Sequence, residues 1–97
     1  MDTRFEWDEQ KATSNVTKHG VSFQEATSVF ANPLALIFDD EAHSTDELRE
    51  VIIGHSIQGR LVVVIFTERA ERRIRIISAR QATKREQHDY EENIHFE

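Results

Sequence analysis

The chain has 97 residues and a net charge of −6, with 38% apolar and 31% charged residues and no cysteine. That length points to one domain over residues 1–97 with a small core. The lack of cysteine excludes disulfides, zinc–cysteine sites, iron–sulfur clusters and a thiol nucleophile, and it fits a reducing cytoplasm. The longest apolar run, Leu61–Phe66, is far too short to span a membrane, and MDTRFEWDEQ has no apolar signal core.

The charge is unevenly laid out. Residues 1–59 hold four basic and eleven acidic side chains, residues 60–85 eight and two, and residues 86–97 none and five. A basic block between acidic ones argues against coating nucleic acid by bulk charge, but it leaves room for a local basic site.

In chain order, Arg4–Trp7 can form a short strand. Asp8 is placed to N-cap a helix over Glu9–His19, with Ala12, Val16 and His19 on one stripe, Asn15 beside them, and Gly20 ending it. Ser22-x-x-Glu25 reads as a capping box for a second helix, whose stripe is Phe23, Ala26, Thr27 and Phe30 and which stops at Asn32-Pro33. Leu34–Phe38 follows as a short strand running into a solvated acidic loop, Asp39–Glu47. Leu48–Ser56 and Arg60–Thr67 are β-branched runs flanking Gln58-Gly59, a hairpin signal. A second hairpin connection, Glu68–Arg72, leads to a strand at Arg73–Ala79. Thr83-x-x-Glu86 caps a C-terminal helix ending near Asn93. The expected class is α+β: two N-terminal helices, an antiparallel sheet and a C-terminal helix.

Two-residue turns at Gln58-Gly59 and Ala70-Glu71 would place Arg49, Val51, Ile53, His55, Val62, Val64, Phe66, Arg73, Arg75 and Ile77 on one face. Ile52, Leu61, Val63, Ile65, Thr67, Ile74, Ile76, Ser78 and Arg80 would share the other. Both faces are then apolar at the centre, one for the helices and one for a partner chain. This register separates Arg75 from Arg80.

The arginine-rich block holds Arg60, Arg69, Arg72, Arg73, Arg75, Arg80, Lys84 and Arg85. The planar guanidinium fork suits bidentate phosphate binding; solvated strand edges are the other reading. His19 has the chemistry of a general base or proton donor, or serves as a helix-terminal cation. The histidines show no ligand spacing and Asp39–Glu47 no calcium-loop pattern, so no metal is expected. Gly20, Gly54 and Gly59 form no phosphate loop, so no nucleotide cofactor is expected either. Trp7 could stack a base or pack at the helix start.

Taken in order, Phe5-Glu6-Trp7-Asp8, Lys11, Asn15, Lys18-His19-Gly20 and Phe23-x-x-Ala26-x-x-x-Phe30-x-x-Pro33 resemble the first half of BrnT-type toxins. Arg49, Gly54, Thr67-Glu68-Arg69, Arg75-Ile76-Ile77-Ser78-Ala79-Arg80, Glu86 and Tyr90 resemble the second half. The likeness runs from residue 5 to about 91, and Glu50 departs from an aromatic common there in the family. The resemblance implies a RelE-like fold and metal-independent RNA cleavage in a type II toxin–antitoxin module. It also implies an RNA substrate and a hetero-oligomer with a BrnA-like antitoxin that carries a ribbon-helix-helix domain. On it, Arg49, Arg69, Arg75 and Arg80 are expected to bind phosphate and stabilise the transition state, and Lys18 and His19 to transfer protons or position RNA. A non-catalytic nucleic-acid-binding module and a protein-interaction module are the alternatives.

Overall fold

A computed structural model describes residues 3–40 and 47–94. The elements are β1 (Arg4–Glu6), α1 (Glu9–His19), α2 (Phe23–Val29), β2 (Leu36–Asp39), β3 (Glu50–His55), β4 (Leu61–Arg69), β5 (Arg73–Gln81) and α3 (Lys84–Ile94). The five strands form one sheet in the order β1-β5-β4-β3-β2. Strands β2 to β5 are antiparallel, but β1 adds to the edge of β5 in parallel, so the sheet is mixed and not purely antiparallel. Positions 41–46, most of the expected acidic loop, lie outside the described residues.

Local chemistry sets the helix ends. The Asp8 carboxylate accepts from the backbone N–H groups of Gln10 (2.8 Å) and Lys11 (3.1 Å), and the Gly20 N–H closes α1 on Val16 O. Of the stripe expected on α1 only Ala12 packs against the core: Val16 is 49% exposed and His19 is exposed, whereas Asn15 is buried. Ser22 Oγ caps α2 by accepting from Glu25 N (3.0 Å). The Glu25 carboxylate does not turn back to Ser22, as a full capping box would have it. Instead it accepts from Arg60 and from Ser56 Oγ (2.7 Å), and Arg60 Nη2 also reaches Gly20 O. Arg60 holds the Glu25 carboxyl below its usual range against the opposing effect of burial. Arg60 is thus a structural residue, lost to any phosphate site.

Both hairpins have three-residue loops, which shifts the register: Val62, Val64 and Phe66 leave the face of Val51, Ile53 and Arg75, and Leu61, Val63, Ile65 and Thr67 join it. The first runs Ile57-Gln58-Gly59 between Ser56 and Arg60, with Gly59 at φ 79°, a left-handed position that suits glycine. The second runs Ala70-Glu71-Arg72, with Glu71 and Arg72 at φ 62° and 60°, and the Arg72 carbonyl accepts from Arg4 N. Ile77 is then the extra residue of a β-bulge, because Phe66 pairs with Ile76 while Ile65 pairs with Ser78. The bulge reverses parity along β5, so Arg75 and Arg80 share a face after all.

The corrected helix-side face carries Ile52, Val62, Val64, Phe66, Ile76 and Ala79 against Val21, Phe23, Ala26 and Val29. Trp7 joins this layer by packing edge-on against Phe23. Gly54 faces the same layer: a Cβ there would meet Ala35 Cβ at 2.8 Å and Val29 Cγ1 at 3.3 Å. Gly54→Ala is therefore expected to destabilise by about 1–3 kcal/mol through overpacking, read as a lower urea midpoint with an unchanged slope.

Candidate functional site

The opposite face is half covered. Helix α3 lies over part of it, and Tyr90 packs with Ile53, Leu61 and Val63. The Tyr90 hydroxyl donates to Leu34 O (2.8 Å), and its ring stands edge-on to His55. Beside the helix an open groove of about 620 Å³ remains. Its floor is aliphatic, from Val51, Ile53, Val63, Ile65 and Ile77; its rim carries Asp40, Arg49, Arg80, Glu86, Asp89 and Asn93.

The register arranges this face in rows across the strands. Leu36, Ile53, Val63 and Arg80 form one row, and Phe38, Val51, Ile65 and Ser78 the next. In the third row Glu6 pairs with Arg75 and Arg75 with Thr67. Continuing the ladder one step past the start of β3 brings in Arg49, whose carbonyl accepts from Asp40 N (2.8 Å). An apolar row therefore lies between two rows that bear arginines. Thr67 and Val63 are four residues apart on β4, which puts the arginine rows about 13 Å from one another.

The third row ends in an arginine cluster. Glu6 lies 3.2 Å from Arg75 Nη1, 3.4 Å from Arg73 Nη1 and 3.6 Å from Arg69 Nε, and Arg69 Nη2 is 3.4 Å from Glu47. Alternation along the strands gives the sheet two electrical faces. Arg49 and Arg69 take the groove side, whereas their neighbours Glu50 and Glu68 take the other. Burial first, then Glu68 and Asp39, pushes the Glu50 carboxyl above its ordinary range. The groove side thereby gathers arginines, with Glu6, Glu47 and Glu86 as their partners.

Arg80 is bound differently. Its Nη1 and Nη2 donate to the two carboxylate oxygens of Glu86 at 2.7 and 2.9 Å. Glu86 also completes the expected capping box: it accepts from Thr83 N (2.9 Å) and donates its own N–H to Thr83 Oγ1 (3.1 Å). The Arg80 contact leads the causes that lower the Glu86 carboxyl from its ordinary 4.5 to about 2. A depressed carboxylate stabilises the fold above its unfolded value and loses that contribution as pH falls. The gap in urea stability between wild type and Glu86→Gln is accordingly expected to be full at pH 7 and to close between pH 4.5 and about 2.

Of the six residues singled out from sequence, four share this face: Arg69 and Arg75 in the cluster, Arg49 and Arg80 on the groove rim. Lys18 and His19 do not join them. They are exposed on the last turn of α1 and do not line the groove. Glu6 and Glu86, each bound to site arginines, were not singled out as site residues. Alternation along Arg4–Trp7 was the signal for the first; the second was legible only as a helix cap. Among the described residues, no three His, Asp or Glu side chains come together to hold a metal ion, and no helix is long and apolar enough to cross a membrane.

Fold and face together define a small α+β protein with helices packed on one side of its sheet and a grooved, arginine-bearing surface on the other. The model of the family described as the ribonuclease toxin, BrnT, of type II toxin–antitoxin systems matches residues 7–86, and the chain belongs to that family. Its structure is similar to the 1.1 Å crystal structure of the Brucella abortus ribonuclease toxin, BrnT, at 25% identity and a TM-score of 0.66, over 86% of this chain and 100% of that one. Nothing among curated proteins matches the chain.

Proposed function

We propose that this protein is an endoribonuclease toxin with a RelE-like architecture that cleaves single-stranded RNA in the cytoplasm without a metal ion. The observation that carries this reading is the placing of Arg49, Arg69, Arg75 and Arg80 on one face of the sheet, Arg49 and Arg80 on the groove rim and Arg69 and Arg75 in the cluster beside it, with the family membership behind it. Attack of a ribose 2′-hydroxyl on its neighbouring phosphate builds negative charge on the phosphoryl oxygens. Preorganised guanidinium groups stabilise that charge without a cation. In this reading Arg75 and Arg69 hold the reacting phosphate, Arg49 holds the strand at the far end of their row, and Arg80, in the other arginine row, exchanges Glu86 for RNA. Lys18 and His19, off the groove, position RNA that runs past the edge of β5.

The partner in this reading is a BrnA-like antitoxin with a ribbon-helix-helix domain, forming a hetero-oligomer. An acidic, amphipathic segment of it would fill the aliphatic groove and meet the arginines, which excludes RNA and speeds association. The test is purified protein incubated with RNA in EDTA, with and without the neighbouring gene product. Cleavage in EDTA that the partner suppresses supports the reading. Binding without cleavage would instead favour a nucleic-acid-binding module, and restoration only by a divalent ion would overturn the metal-free mechanism.

A further inference from the structure

We propose that Glu6 is the proton acceptor of the cleavage reaction, an inference that rests on the ribonuclease reading above. Glu6 is the carboxylate at the centre of the arginine cluster. Arg75 and Arg73 face it from β5, Arg69 from the end of β4, and Arg4 lies on the same face of its own strand, two residues away. Glu47 draws on Arg69 from beyond β4. The Glu6 side chain is 29% exposed, so a ribose can reach it.

The contacts separate Glu6 from the other acidic groups bound to arginine: Glu47 meets Arg69 alone, whereas Glu6 meets Arg69, Arg73 and Arg75. Glu86 has both oxygens committed to Arg80 at 2.7 and 2.9 Å and one of them also to Thr83 N. Glu25 is buried under Arg60 and Ser56. Around Glu6 the ion pairs are loose, at 3.2–3.6 Å, and only the Arg73 and Arg75 contacts are aligned as hydrogen bonds. Each guanidinium offers five donors, so those that hold Glu6 can also grip a phosphate beside it. A carboxylate next to a phosphate held by these arginines is within reach of the proton of an attacking 2′-hydroxyl.

The step balances with solvent water as the only other reactant. The 2′-hydroxyl proton passes to a Glu6 carboxylate oxygen as the bond from 2′-oxygen to phosphorus forms. The bond from phosphorus to the 5′-oxygen breaks, and that oxygen takes a proton from water. The products are a 2′,3′-cyclic phosphate and a 5′-hydroxyl end, and Glu6 returns its proton to solvent.

A single-turnover assay on a short single-stranded RNA, run from pH 4 to 8 with wild type, Glu6→Gln and Glu6→Asp, tests this. Thermal melts confirm that the variants fold. A general base contributes about 10²–10⁴-fold, so Glu6→Gln is expected to lose at least a hundredfold in rate and the acidic limb of its pH profile. Glu6→Asp, with its carboxylate drawn back, is expected to lose tenfold or more and keep that limb. A Glu6→Gln rate within tenfold of wild type, or an unchanged acidic limb, would overturn the proposal while the ribonuclease reading stands. If Glu6→Gln does not fold, full activity in Glu6→Asp would overturn it equally. A wild-type protein that cleaves no RNA would overturn the ribonuclease reading and Glu6's role with it.

Discussion

Arg75→Ala is expected to slow RNA cleavage by about two to three orders of magnitude and to abolish growth arrest on expression. Removing one preorganised donor aimed at a developing oxyanion costs on the order of 10²–10³ in rate. Arg75 sits at the centre of the polar row, two residues from the bulge at Ile77 that turns Arg80 to its side. The control is Arg72→Ala. Arg72 lies exposed in the Ala70–Arg72 loop, so its side chain should contribute little beyond general charge. Arg72→Ala is expected to retain activity within about threefold, in line with the near-neutral behaviour of exposed substitutions. Equal losses in both variants would mean that the basic block acts as diffuse charge. Arg80→Ala is the less clean probe, because it also releases the Glu86 carboxylate that caps α3.

The largest effect on stability is expected at Asn15. Strand β1 ends at Glu6, opposite Arg75, so among the described residues the edge of β5 beyond it has no strand partner. Asn15 takes that place. Its side-chain amide donates to Ala79 O (2.7 Å) and accepts from Ala79 N (3.2 Å), as a neighbouring strand would, and it donates again to Val21 O (2.8 Å). Ala79 and Val21 are fully buried. Asn15→Leu removes all three bonds and leaves three buried backbone groups unsatisfied, each worth about 1–3 kcal/mol. The expected loss is about 3 kcal/mol or more, a large part of the stability of a small domain. In a thermal melt followed by circular dichroism this reads as a drop of roughly 12 °C or more. A shift of only a few degrees would show that water or relaxation replaces these bonds.

What was legible in the sequence was whatever local chemistry decides. The caps at Asp8, Ser22 and Thr83 act through neighbours within three residues, and the β-branched runs from Glu50 onward could hardly be helices. What was not legible depended on counting residues across turns. Three-residue loops at Ile57–Gly59 and Ala70–Arg72, in place of two-residue turns, moved Val62, Val64 and Phe66 from the expected partner face to the helix core. The bulge at Ile77 carries no signature in a run of isoleucines, yet it unites Arg75 with Arg80. The expected strand at Leu34–Phe38 begins at Leu36, because Asn32 accepts from Leu34 N and Ala35 N and holds those residues in a turn. Arg60 read as part of a basic block because its partner, Glu25, lies 35 positions away. The arginine-rich face was thus visible as composition, and its shape was fixed by register.

The alternation along β4 allows the most direct test of where RNA binds. Methyl-labelled protein is titrated with a single-stranded oligonucleotide that carries a 2′-deoxy sugar at the cleavage position and so cannot be cut. If the groove face is the RNA site, the methyl signals of Val63, Ile65, Val51 and Ile53 shift together. Those of Val62, Val64 and Val29, on the helix side of the same sheet, stay in place. Shifts confined to the helix side, or to α1 near Lys18 and His19 with the groove methyls unmoved, would contradict the assignment of the site to this face.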